Sequence, residues 1–221
     1  MEGYVSEQEQ VEAVKKWLRE NGPAIAIGLI LGLTVIFGWR GWQSHQRGLS
    51  EAASDRFAQM MVLVQRNQRD DAQKAALTLI SEQPRSSYAT FAALMLARLA
   101  VDKQDLATAK QQLTWVIDNS RRQELKALAR VRLARVHLAE GKVAEAWALV
   151  EQAGGAEPTA AIAELRGDVL MAQGKIDEAR RQYLDAYARA DGAAVETSAL
   201  ALKLDDLGAA PPAAGGEQAA K

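Results

Sequence analysis

The sequence predicts an all-α chain, with a single N-terminal transmembrane helix followed by a domain of repeated helix pairs. Three observations predict it. Residues 23–42 carry no charge before Arg40 and nothing more polar than Thr34. The segment Gly141-Lys142-x-x-Glu145-Ala146 is echoed by Gly174-Lys175-x-x-Glu178-Ala179. Ala, Leu, Glu, Arg and Gln dominate, whereas Gly and Pro gather at a few places, as in a mostly helical protein.

The apolar segment comes first. At 1.5 Å per helical residue it covers roughly 30 Å, the hydrocarbon thickness of a bilayer. Asn21 can cap a helix and Pro23 suits a first turn, while Trp17, Trp39 and Trp42 bracket the run as interfacial aromatics do. Arg40, at the edge, can reach the headgroups. No small-x-small cleavage pattern follows in Trp39-Arg40-Gly41-Trp42-Gln43, so the segment reads as an uncleaved signal anchor. Ala24, Gly28 and Gly32 lie four apart, a row of small residues that lets a second membrane helix pack closely. Lys15, Lys16 and Arg19 before the span are nearly balanced by Arg40, Arg47 and Arg56 after it, so charge alone leaves the sidedness open.

Ahead of the span, Val11, Val14, Trp17 and Leu18 have helical spacing and predict a short amphipathic helix. Beyond it, residues 43–49 are polar, and a helical pattern resumes around Ala52, Phe57, Met60, Met61 and Val64.

From there the chain repeats itself. Residues 88–118, 127–153 and 160–189 superpose with Ala109, Ala146 and Ala179 in register. The offsets of 37 and 33 residues lie near the period of about 34 of tetratricopeptide-type helix pairs, and a small residue is needed where the second helix crosses the first. Residues 51–83 fit a degenerate leading pair with its turn at Asn67 to Asp70, and a helix from Val195 to Leu207 would cap the stack. A turn is expected at Asp118-Asn119-Ser120, and Gly154, Gly155 and Pro158 separate the last two repeats. The fold class is thus all-α, a single N-terminal transmembrane helix followed by a tetratricopeptide-like helical-repeat domain.

The first helices of such pairs line a concave groove. This places Phe91, Leu94 and Arg98 on the stripe of one repeat, Arg135 on that of the next, and Glu164, Asp168 and Met171 on that of the third, as a candidate partner-binding groove. Arg122, Lys126 and Arg130 share a helix face and form a basic patch, without the interleaved aromatics that single-stranded nucleic acid needs.

Catalytic chemistry has little to work with. The chain has no cysteine and two histidines, His45 and His137, with a formal net charge of −1. No nucleophile motif, phosphate-binding glycine loop or metal-ligand spacing is present, so no catalytic, cofactor or metal site, no nucleic-acid partner and no small-molecule substrate is expected. The expected organisation is a short N-terminal segment over 1–21, a transmembrane helix over 22–42, the repeat domain over 43–207 and a disordered Pro/Gly/Ala-rich tail over 208–221.

Val11-Glu12-Ala13-Val14-Lys15-Lys16-Trp17, then Glu20-Asn21-Gly22, Gly38-Trp39-Arg40-x-Trp42 and Ser44-His45-Gln46 resemble the start of the YfgM family, ancillary subunits of the SecYEG translocon. Leu133-Ala134-Arg135-Val136 and Leu165-Arg166-Gly167 resemble its repeat region. The resemblance implies a bacterial inner-membrane protein with a cytoplasmic N-terminus and a periplasmic repeat domain. It further implies as partners the SecYEG translocon, the periplasmic chaperone PpiD and exported client proteins, with the lipid bilayer around the span and no catalytic residues. A repeat adaptor or scaffold facing the cytoplasm is the alternative.

Overall fold

The computed structural model describes the backbone of residues 7–154, 159–190 and 194–209, which is helix and turn with no strand among them. The helices are α1 (Glu7–Gln65), α2 (Arg69–Glu82), α3 (Ser87–Asp102), α4 (Leu106–Asn119), α5 (Gln123–Ala139), α6 (Val143–Ala153), α7 (Ala160–Ala172), α8 (Ile176–Arg189) and α9 (Ala194–Asp206). They divide into two compact units, Met1–Ala52 and Ala53–Lys221.

The first unit is the leading part of α1. Its apolar side chains are uncovered: Leu29, Leu31, Val35 and Phe37 are each more than 60% exposed. The Trp39 and Trp42 rings sit 5.4 Å apart. Among the described residues no single helix is long and apolar enough to cross a membrane, although Val14–Gly22 and Ile27–Gln65 pass together on length and composition as a bent pair. The expected helix start at Asn21 is absent. Asn21 Nδ2 instead donates to the Trp17 carbonyl at 3.0 Å, and α1 continues past it with a bend of 55° between Gly22 and Ile27. Residues 43–49 are helical as well, since polarity on an exposed face does not interrupt helical hydrogen bonding.

The second unit is a stack of helix pairs. Among the described residues five have positive φ, namely Asn67 (58°), Gln104 (61°), Gly141 (75°), Gly174 (76°) and Gly208 (65°), at successive intervals of 37, 37, 33 and 34 residues. Each is the left-handed residue of the same turn. The amides of Gln68, Asp105, Lys142, Lys175 and Ala209 reach back to the carbonyls of Leu63, Ala100, His137, Leu170 and Leu204 at 2.8–2.9 Å. This closure satisfies carbonyls that a helix end leaves without partners. The turn accounts for the sequence echo. Glycine takes the left-handed position, Lys142 and Lys175 are N-caps, and Glu145 and Glu178 place negative charge at the positive end of the next helix.

The following alanine is the packing element. Ala109, Ala146 and Ala179 are fully buried, and Ala72 occupies the same place after Asn67-Gln68, which identifies the leading pair. The apolar core runs through the stack as three linked clusters. The first joins Ala53 and Met60 to α2, α3, α4 and part of α5, the second joins α5, α6 and α7, and the third joins α7, α8 and α9. Leu200 and Leu204 of α9 are buried against α7 and α8, so α9 closes the last pair as expected. Gly155, Pro158 and the tail beyond residue 209 lie outside the described residues.

Candidate partner-binding groove

Polar residues of α5, α7, α8 and α9 meet in a charged seam. Arg135 Nη2 of α5 donates to Glu164 Oε2 of α7 at 3.2 Å. Lys203 Nζ of α9 donates to Glu164 Oε1 at 2.7 Å and to Asp168 Oδ1 at 2.6 Å. Tyr183 Oη of α8 donates to the same Asp168 oxygen at 2.9 Å, and the Lys203 ammonium stands 5.3 Å from the Tyr183 ring centre. Burial first, and then the Asp168 charge, push the Tyr183 phenol well above its ordinary range, so it stays a hydrogen-bond donor.

At the other end of the seam lies a groove of about 430 Å³ between α3, α4 and α5. Ala97, Val101, Leu113 and Val136 give it an apolar floor, and Arg98, Arg132, Arg135 and Asp102 stand around it. Burial lowers the Arg132 pKa, and the Arg98 and Arg135 charges lower it further. Among the described residues neither Arg98 nor Arg132 has an ion-pair partner.

Four of the seven groove residues expected from sequence therefore share this seam: Arg98, Arg135, Glu164 and Asp168. Met171 is 37% exposed at the end of α7. Leu94 is buried in the first core cluster. Its side chain is therefore closed to a partner, whereas Phe91 is half-buried and packs with Phe57 and Tyr88, ring centres 6.1 and 6.5 Å away. Arg132, Tyr183 and Lys203 were not part of that expectation. Arg132 lies three residues before Arg135 on one helix face and was legible in principle, whereas Lys203 meets Glu164 only through the stacking of α9.

The basic stretch is less uniform than its spacing suggests. Arg122 is exposed at the N-cap of α5, 3.7 Å from Glu124. Lys126 is half-buried, and the Arg130 Nε is enclosed with no hydrogen-bond partner among the described residues. Across the α4–α5 junction Lys110 Nζ donates to both oxygens of Glu140 at 2.6 and 2.8 Å, and Lys142 adds a third bond at 2.8 Å. These bonds, the Lys110 one first, hold the Glu140 carboxyl down to about 2. In the first unit a Cβ added at Gly28 or Gly32 would meet nothing within 4 Å, while the Ala24 side chain lies outside the described residues. No group of three or more metal-binding side chains occurs among the described residues.

Residues 15–209 match the family model described as a tetratricopeptide repeat-like domain. The ancillary SecYEG translocon subunit of Escherichia coli is 32% identical over 207 residues, covering 94% of this chain and 99% of that protein. The chain belongs to this family. The Haemophilus influenzae subunit of the same name is 30% identical over 205 residues, 92% of this chain and 98% of that one. In Neisseria gonorrhoeae the family member is 27% identical, covering 94% of this chain and 100% of its own length. A solved tetratricopeptide repeat protein from Parabacteroides merdae is similar at 18% identity with a TM-score of 0.34, over 73% of this chain and 80% of that one. The family resemblance read from the N-terminal motifs thus holds along nearly the whole chain, and the family's repeats are the helix pairs described above.

Proposed function

We propose that this protein is a single-span inner-membrane subunit that works beside the SecYEG translocon and presents its helix-pair domain to exported proteins on the periplasmic side, with PpiD as a chaperone partner. The observation that carries this reading is the colinear match to ancillary translocon subunits over 94% of the chain, apolar N-terminal helix included. The uncovered apolar side chains of α1 support it, since a helix apolar all round needs lipid or protein against it. In this reading residues 22–42 cross the bilayer, residues 1–21 stay in the cytoplasm, and the Ala24, Gly28 and Gly32 row meets a translocon helix. The seam of Arg98, Arg135, Glu164 and Asp168 receives partners, and no step of catalysis is assigned.

Two measurements test it. The chain has no native cysteine, so one reporter thiol suffices. Ser120 lies in the expected turn but is 5% exposed and its Oγ accepts from the Arg122 amide, so the reporter belongs at exposed Ser87. Labelling of Ser87→Cys in intact cells by a reagent that passes only the outer membrane is the expected result. Labelling only after the inner membrane is opened would favour the cytoplasmic adaptor instead. Co-purification with SecYEG from solubilised membranes should weaken in a Gly28→Ile, Gly32→Ile variant, at positions where an added Cβ meets nothing within 4 Å. Absence of SecYEG from the wild-type preparation would remove the translocon role.

A further inference from the structure

We infer that the groove between α3, α4 and α5 binds an acidic amphipathic polypeptide segment, seating an apolar side chain on its floor and carboxylates on Arg98 and Arg132. This rests on reading the repeat domain as a partner-binding surface and names the chemistry of what it receives.

The groove holds about 430 Å³, room for a few side chains, and its floor is apolar at Ala97, Val101, Leu113 and Val136. Its charge is unbalanced. Three guanidinium groups line it against one carboxylate, that of Asp102. Arginine does not lose its proton in proteins, so the cluster cannot relieve its repulsion by neutralising itself. Arg135 has Glu164, but Glu164 is already held by Lys203, and Arg98 and Arg132 face no carboxylate partner among the described residues. An anion placed there gains charge-assisted hydrogen bonds without first breaking an ion pair.

The floor decides between kinds of anion. A lone phosphate would leave the apolar side chains wet, so the ligand must carry an apolar group beside its negative charge. An anionic lipid also satisfies that, but the seam continues past Arg135 to Glu164 and Asp168, whose carboxylates would face a negatively charged membrane surface. A polypeptide of mixed polarity fits both ends. No aromatic ring lines the groove for base stacking.

The test uses the full-length protein in nonionic detergent and two labelled synthetic peptides, one alternating Leu with Glu and one alternating Leu with Gln, followed by fluorescence anisotropy. The Leu/Glu peptide is expected to bind roughly tenfold or more tightly than its amide counterpart, with the gap closing as salt rises. Arg98→Ala with Arg132→Ala should remove that preference, Arg98→Lys with Arg132→Lys should retain most of it, and Lys74→Ala on remote α2 should leave it intact. The Ala double variant should keep the wild-type circular dichroism, since Arg98 is exposed and Arg132 only half-buried. Equal binding of the two peptides, or a preference that survives the Ala double variant, overturns the inference. So does displacement of the peptide by dihexanoyl phosphatidylglycerol that depends on Arg98 and Arg132, which would assign the site to lipid. Any of these outcomes can occur while SecYEG co-purification and Ser87→Cys labelling succeed, and the reverse, so the two readings fail separately.

Discussion

The ring of Tyr183 occupies the space that a side chain at residue 167 would need: a Cβ built on Gly167 would fall 2.6 Å from Tyr183 Cδ1 and closer still to Cε1. Both residues are buried, so α7 and α8 approach at this point because one helix has no side chain where the other presents a ring. Gly167→Ala should overpack the contact by about 1 to 3 kcal/mol, outweighing the about 1 kcal/mol that alanine gains over glycine inside a helix. Chemical unfolding followed by circular dichroism checks the sign. In a Tyr183→Ala background the same substitution should be neutral or stabilising, because only the helix preference remains.

Lys203 holds α9 to α7 through Glu164 and Asp168. Lys203→Met keeps the stem and removes the charge, leaving two partly buried carboxylates short of a donor, at about 1 to 3 kcal/mol. Amide exchange should rise first in α9 and only weakly in α3 and α4, which share no core cluster with it. Uniform loosening of the whole domain would show that α9 is no separate closing element.

Glu140 makes the α4–α5 junction sensitive to acid. Its folded carboxyl is held from 4.5 down to about 2 by Lys110 and Lys142, so its contribution is complete above pH 4.5 and disappears as pH falls through about 2. Thermal midpoints measured across that window should fall less steeply for Glu140→Gln than for wild type. At pH 7 the variant should already melt lower.

The left-handed turns predict a gain as well as a loss. Gln104 adopts φ 61° where two later repeats have glycine. Gln104→Gly should raise stability by roughly 1 kcal/mol, the left-handed cost of a side chain less the entropy of glycine, and Gly174→Ala should lower it by a similar amount. Equal and small effects at both sites would mean that the turn carries no strain.

Much of this architecture is legible from residues alone, and the limits are equally physical. Gly141 and Gly174 announce their turns because glycine is the ordinary left-handed residue, whereas Asn67 and Gln104 occupy the same conformation with side chains that give weaker signals. Ala109, Ala146 and Ala179 mark the close crossing, and Ala72 becomes readable once the Asn67 turn is seen. Asn21 offers a cap that the structure does not use, because a capping residue is permitted but not required to start a helix, and its side chain bonds backward instead. Leu94 fell on the core side because a shift of one position on a helix turns a side chain by about 100°.

The sequence by itself determined the helical class, the apolar N-terminal run, the repeat spacing and the family, since each is written in local pattern: hydrophobic period, turn residues and junction motif. Tertiary structure decided which charges meet. Arg98, Arg132 and Arg135 share one groove, and Lys203 reaches Glu164 and Asp168 across more than thirty residues of chain, only because stacked helix pairs bring their first helices side by side. The same stacking decided that Ser120, in a turn, is buried while Ser87 is exposed. Periodicity fixes the face a residue occupies on its own helix, and the angle at which the next helix packs fixes what that face touches.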